Sequence, residues 1–307
     1  MITIQENINL SEHTTFEIGG NARYFVEVNS MTDLEAALEY AKENRLKYFV
    51  FSGGSNLLVS DEGFDGLAIK ISMSVLSITG TEVVAEAGCS LMEVIHETTL
   101  EKLGGMESMY GIPGSVGGAL RGNAGAFGTE MKDVVKEVTA FNVWTHQLRK
   151  FSNIQCKFGY RDSYFKKDKD WVILSVTFSL TKDEKSHNKA HMTLSLRNER
   201  QIQGIKSAGS FFENPLVNTK IQKMFFDEKG VEAKDGRVPA GWLIEKSGFR
   251  GVCENGVCTG ERSSNYVINE EGDSEAVIAL TTKIKEKVFR DHGVELVLEV
   301  TTIDSTE

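Results

Sequence analysis

Gly111-Ile112-Pro113-Gly114-Ser115-Val116-Gly117-Gly118 and, shortly after it, Asn123-Ala124-Gly125-Ala126-Phe127-Gly128 make the longest glycine-rich region of the chain. Glycine has no Cβ, so such turns let backbone N–H groups converge on an anion. A second turn of the same kind, Gly53-Gly54-Ser55-Asn56, follows the apolar run Tyr48 to Phe51, which reads as a buried strand. Each motif alone is satisfied by ordinary turns. Three glycine groups together point to a pyrophosphate held by backbone without lysine, and so to a dinucleotide. The usual scaffolds fail on spelling. There is no G-x-G-x-x-G after the first strand and no G-x-x-x-x-G-K-[ST], which removes the Rossmann turn and the P-loop, and no G-x-S-x-G, which removes the hydrolase elbow.

Working outward, Arg23 to Val28 alternates as a strand, and Thr32-Asp33-Leu34-Glu35 fits a capping box for a helix through Asn44. Leu57 to Ser60 and Leu67 to Ile71 read as further strands, and Met73 to Ala87 as short strands with turns. Ser90-Leu91-Met92-Glu93 opens a helix that Gly104-Gly105 stops. Two or three strands follow between Val134 and Leu180, one of them Val172 to Leu180. The polar run Lys182 to Lys189 reads as a domain junction. Beyond it, Met192 to Ile202 reads as helix; Met224 to Phe226, Gly241 to Glu245 and Tyr266 to Ile268 read as short apolar pieces between loops. Glu275 to Arg290 is an amphipathic helix and Val294 to Ile303 a terminal strand.

With 307 residues, 40% hydrophobic and 25% charged, the chain has the composition of a globular protein with enough length for two or three compact parts. A net charge of -10 argues against nucleic-acid or anionic-membrane surfaces, which need a basic field. No window reaches the roughly 18 apolar residues of a membrane span, and Met1 to Glu6 lacks the features of a signal peptide. A cytoplasmic protein without membrane insertion is expected. The four cysteines, Cys89, Cys156, Cys253 and Cys258, are thinly spread and read as reduced thiols. His187 and His191 have metal-ligand spacing on a helix but no Glu or Cys beside them, so they read as solvated surface histidines and no metal is expected. Three polar groups interrupt apolar surroundings: Arg161 in Gly159-Tyr160-Arg161-Asp162-Ser163, Ser210 in Ala208-Gly209-Ser210-Phe211-Phe212, and Glu299 among Leu296, Leu298 and Val300. Ordinary accounts exist for each: an Arg161–Asp162 ion pair, a turn serine, and a solvent-facing carboxylate.

Taken in order, Thr14 to Ala22 (TTFEIGGNA), Gly53 to Leu58 (GGSNLL), Gly111 to Gly118, Asn123 to Ala126, Tyr160 to Ser163 (YRDS), Ala208 to Pro215 (AGSFFENP) and Ala240 to Glu245 (AGWLIE) resemble the UDP-N-acetylenolpyruvoylglucosamine reductase family, in its shorter, type II-like class. The resemblance implies an α+β protein. It would have a two-subdomain FAD-binding part of the p-cresol methylhydroxylase (PCMH) and vanillyl-alcohol-oxidase type, residues 1–70 and 71–190, and a C-terminal α+β substrate domain, residues 191–307. It also implies UDP-N-acetylmuramate dehydrogenase activity in peptidoglycan precursor synthesis. NADPH as co-substrate reduces non-covalent FAD; hydride then passes from flavin N5 to C3 of UDP-N-acetylenolpyruvoylglucosamine, and Ser210 gives a proton to C2. Arg161 would hold the substrate carboxylate, and Glu299 would assist the enolate or relay a proton. The implied cofactor-binding residues are Gly53, Gly54, Ser55, Asn56, Gly111, Pro113, Gly114, Ser115, Gly117, Gly118, Asn123 and Gly125; Tyr160 and Asn214 would bind substrate. Ser55, where related oxidases carry a tethering histidine, implies a dissociable flavin. Three positions depart from the family pattern: Val297 replaces a glutamate, Gly122 a methionine and Ser263 a histidine. Two other readings compete: an FAD-linked oxidase of the same fold, and a catalytically silent binding paralogue.

Overall fold

The computed structural model describes residues 2–200 and 204–304, and the chain divides into two compact units. The first comprises Met1–Ile8, Ala22–Gly54 and Phe64–Glu199; the second Asn9–Asn21, Ser55–Gly63 and Arg200–Glu307. These units draw on discontinuous stretches, whereas the sequence reading cuts the chain linearly.

In the first unit, Asn21–Val28 and Lys47–Phe51 both pair in parallel with Phe64–Ile71, and Gln5–Asn9 forms the far edge. The parallel arrangement needs a crossover, supplied by the helix Met31–Glu43. Its N-cap is Ser30, whose hydroxyl accepts from Asp33 N–H while Asp33 accepts from Asn29 N–H, so the helix starts two residues before the expected capping box. A second, antiparallel sheet runs in the order Leu148–Ser152, Val135–Asn142, Trp171–Ser179, Glu82–Glu86, Leu76–Thr79. Val138, Phe141, Phe151, Val176 and Phe178 on these strands are almost fully buried and anchor this unit's core. Lys182 to Lys189 is not a junction: the helix Ser186–Arg200 already begins inside it, and most of that helix belongs to the first unit. Its start is six residues earlier than expected, and the expected helical residues Gln201 and Ile202 lie outside the described residues.

The second unit packs the helices Thr219–Lys229, Ala240–Lys246 and Ser274–His292 with a three-stranded antiparallel sheet, Cys253–Glu254, Val257–Thr259 and Val267–Asn269. The longest helix follows from its sequence. Asp273 caps it by accepting from Ala276 N–H, Gly293 ends it at φ +68°, and Val277, Leu280, Ile284 and Val288 bury one stripe. Met224 to Phe226 lies within a helix rather than between loops. The expected terminal strand is shorter: only Thr301–Ile303 forms a ladder, parallel to Leu57–Val59.

Glu228 shows what an ion pair contributes here. Its hydrogen bond from Lys246 is the main reason its carboxyl is drawn down from 4.5 to about 2. A depressed value means the contribution is complete above about pH 4.5 and disappears as the pH falls toward 2. Lys246→Met should therefore cost a little stability at neutral pH, with the loss shrinking as the pH falls toward 2, as urea unfolding at the two pH values would show; an equal loss at both would refute this.

The cysteines correct the sequence reading. Cys253 and Cys258 face one another across a hairpin and are joined as a disulfide, with Cα atoms 4.0 Å apart. The hairpin turn is Asn255-Gly256, both at positive φ, so residues five apart become cross-strand partners. Cys89 and Cys156 are free and buried, and burial pushes the Cys156 thiol up to about 12. Thiol titration of the denatured, unreduced protein should count two thiols, rising to four after reduction; four at the outset would contradict the pairing.

Candidate functional site

In the first unit the two glycine turns come together. A Cβ placed on Gly53 would lie 3.0 Å from both Gly114 Cα and Ser115 N, so any larger residue requires the two turns to give by a few tenths of an ångström. Gly114 itself sits at φ +104°. The remaining amides of the second turn are used internally. Val116 N–H donates to Cys89 O, Gly117 N–H to Ala87 O, and Gly118 N–H to the Ser115 hydroxyl. Those residues therefore fix the loop, and the surface suited to a pyrophosphate is the Gly53-Gly54 turn facing Gly114-Ser115. This cradle of glycine backbone, which a Cβ on Gly53 would crowd, fits the phosphates of FAD. Ser55 and Asn56 continue the turn into the second unit, where Asn56 Nδ2 donates to Glu299 O at 3.0 Å.

Asn123 is completely buried at φ +42°. Its Nδ2 donates to Gly159 O at 2.8 Å and to Glu130 Oε2 at 3.0 Å, and its Oδ1 accepts from Lys132 N–H at 3.0 Å. The carboxamide thus acts on the Arg161 loop. Gly125 lies in the adjoining two-residue pairing with Glu130, where a Cβ would meet Glu130 Cγ at 2.6 Å. Gly159 and Asp162 bond to each other through both backbone pairs, which leaves Tyr160 and Arg161 at the tip of a tight turn, with the guanidinium 5.5 Å from the Tyr160 ring centre. Asp162 pairs with Lys167. Ser163 Oγ and Lys166 Nζ, bonded to Arg121 O and Arg161 O, secure the turn's other side.

Sequence reasoning missed two cations of this unit. Arg121 ends the short helix after the second glycine turn, and burial lowers its guanidinium below the ordinary value. Arg197, 8% exposed, reaches from the helix Ser186–Arg200 so that its Cδ would crowd a Cβ on Gly111, and its guanidinium lies 5.8 Å from the Phe127 ring centre. His187 is half-buried rather than solvated, its ring 4.4 Å from that of His191 and 6.1 Å from that of His96. Among the described residues no group of three or more His, Cys, Asp or Glu could hold a metal ion.

In the second unit the segments that carry Ser210 and Glu299 run side by side. Ser210 bridges Tyr266, Phe211 N–H donates to Asn265 O at 2.8 Å, and Glu299 N–H donates to Phe211 O at 2.9 Å. Glu213 N–H donates to Val297 O at 2.9 Å, while the Val297 side chain is exposed. Residues 210–213 therefore lie as an extended segment between 265–266 and 297–299, with Phe211 and Phe212 buried beneath it. Asn214 Oδ1 accepts from Ala240 N–H at 3.0 Å, which caps the helix Ala240–Lys246.

Comparison with known proteins gives two matching family models: an FAD binding domain over residues 22–148, and the UDP-N-acetylenolpyruvoylglucosamine reductase C-terminal domain over residues 200–303. The UDP-N-acetylenolpyruvoylglucosamine reductase of Carboxydothermus hydrogenoformans is 37% identical over 302 residues, covering 97% of this chain and 93% of that protein. That of Solibacter usitatus is 33% identical over 97% of this chain and 96% of its own. A crystal structure of the reductase from Thermus caldophilus matches with a TM-score of 0.80 at 24% identity, over 98% of this chain and 99% of that one, and supports the fold. The α+β flavin-binding architecture expected from the sequence is the one found.

Proposed function

The chain belongs to the UDP-N-acetylenolpyruvoylglucosamine reductase family, an FAD-dependent oxidoreductase family, and from that premise we propose that it reduces the enolpyruvyl ether of UDP-N-acetylglucosamine to UDP-N-acetylmuramate with NADPH as electron donor. The observation that carries this reading is the ladder joining Ser210 to the Glu299 segment through Phe211. In this reading the FAD-binding part is assigned to the first unit, and the substrate part to the second, which carries Ser210, Asn214 and Glu299.

Bound FAD would supply, once reduced, a hydride at N5 for C3 of the substrate. The pyrophosphate of the flavin is assigned to the Gly53-Gly54 and Gly114-Ser115 cradle. Arg161 holds the substrate carboxylate and opposes the negative charge that builds on it, an interaction of the kind worth about 3–4 kcal/mol when one oxyanion donor is lost. Its turn is set by Asn123 through Gly159 O, so Asn123 supports the substrate end of the site. Ser210 Oγ delivers the proton to C2, and Glu299 assists the enolate or relays a proton. A hydroxyl is a weak acid, so this step requires a strongly basic enolate and exclusion of water. Tyr160, beside Arg161, and Asn214, on the Ser210 segment, contact the substrate.

The test is direct. Purified protein should show flavin absorption, bleach with NADPH under nitrogen, and regain its colour on addition of UDP-N-acetylenolpyruvoylglucosamine with UDP-N-acetylmuramate as product by mass spectrometry. Recolouring only by oxygen would favour the oxidase reading. Colourless protein that forms no product after FAD is added would overturn the proposal.

A further inference from the structure

Ser210 lies on a segment that no regular strand or helix holds: Gly209 precedes it at φ +79°, and Ser210 and Phe212 enter only isolated bridges, to Tyr266 and Leu298. What fixes the segment on one side is largely a single residue. Phe212 N–H donates to Asn265 Oδ1 at 3.0 Å, Asn265 Nδ2 donates back to Phe212 O at 2.8 Å, and Phe211 N–H donates to the Asn265 carbonyl at 2.8 Å. Asn265 is 5% exposed and Phe212 1%, so these bonds are made out of water.

We infer that Asn265 is a positioning residue for Ser210, its carboxamide standing in for a missing strand by taking both the N–H and the C=O of Phe212. The inference rests on the reading of Ser210 as proton donor. A carboxamide offers a donor and an acceptor in the required planar arrangement whatever the pH; a hydroxyl or aliphatic side chain leaves at least one buried Phe212 group unmatched. The opposite edge of the same segment is tied to 297–299 through Phe211 O and Glu213 N. Asn265 thereby holds the short ladder on which Ser210 and Glu299 share a neighbour. Proton delivery to a carbon depends on placement to within a fraction of an ångström, and a misplacement of about 1 Å can cost about a hundredfold in rate.

Two substitutions test this in the FAD-loaded protein, with the two half-reactions followed separately by stopped-flow absorbance. Asn265→Leu should leave bleaching by NADPH within about twofold of the unsubstituted protein and slow recolouring by the enolpyruvyl substrate about a hundredfold. Asn265→Asp should be pH-sensitive in the second half-reaction alone. Protonated, the new carboxyl donates to Phe212 O and accepts from Phe212 N–H, as asparagine does. Ionised, it sets an oxygen anion against Phe212 O. Recolouring should therefore approach the normal rate at low pH and fall as the pH rises, with burial moving the transition above the ordinary aspartate value. The profile of the unsubstituted protein, which carries Glu213, Glu299 and Arg262 on the surrounding segments, is the baseline. In the flavin-free protein, amide exchange of a peptide spanning 210–214 should quicken in Asn265→Leu while one from 274–292 keeps its rate.

Equal slowing of both half-reactions, a flat pH ratio for Asn265→Asp, or unaltered exchange at 210–214 would overturn the assignment. If the unsubstituted protein recolours with the enolpyruvyl substrate and Asn265→Leu matches it, this inference alone fails. If the unsubstituted protein never recolours with that substrate, the functional reading fails and this inference with it.

Discussion

Ser210→Ala should slow recolouring by the enolpyruvyl substrate by about a hundred- to ten-thousand-fold, the usual worth of a positioned acid, and leave bleaching by NADPH close to normal. The asymmetry follows from placement. Ser210 lies on the extended segment against 265–266 and 297–299, and its backbone partners do not involve its hydroxyl. Removing Oγ deletes a proton source without disturbing the ladder, and Phe211 and Phe212 keep their buried positions. Stopped-flow of each half-reaction is the check. Equal loss in both would show that the serine serves the flavin rather than the substrate, and no loss in the second would remove it from the chemistry.

How much of this is legible in the sequence depends on where each residue finds its partner. The helix Ser274–His292 was readable because its cap, its stripe and its terminating glycine are all local. Val294 to Ile303 was misread as one strand because its partners are distant: Phe211 and Glu213 for residues 297–299, and Leu57–Val59 for 301–303. The disulfide is legible locally, since Cys-Glu-Asn-Gly-Val-Cys contains the Asn-Gly signal of a two-residue hairpin turn, whereas cellular compartment argues the other way. Arg161, Ser210 and Glu299 stood out because polar groups in apolar runs are conspicuous. Asn123 also stood out, yet its carboxamide is spent on Gly159, Glu130 and Lys132. Asn265 gave no signal. Its partner is the backbone of Phe212, 53 positions away, and a backbone group leaves no trace in residue type.

Gly53→Val is expected to yield folded, colourless protein. The Cβ alone would lie 3.0 Å from Gly114 Cα and Ser115 N, both backbone atoms, so the two turns must separate or the branched side chain must occupy the cradle. Neither turn can yield cheaply. Leu91 N–H is bonded to Gly114 O and Val116 N–H to Cys89 O on one side, and on the other Gly53 follows the strand Lys47–Phe51, buried at Phe51, and Ser52, whose hydroxyl bonds Ile71 O. Gly53 is itself exposed and lies outside the strands, so circular dichroism should remain that of the unsubstituted chain while flavin absorbance and the retention of added FAD are lost. Ser52→Ala provides the comparison, because it loosens the same turn without adding volume where phosphate is assigned, and it should keep most of its flavin. If Gly53→Val retains full flavin occupancy, the pyrophosphate does not lie between these turns. If Ser52→Ala loses flavin as completely, turn rigidity rather than the open cradle decides binding.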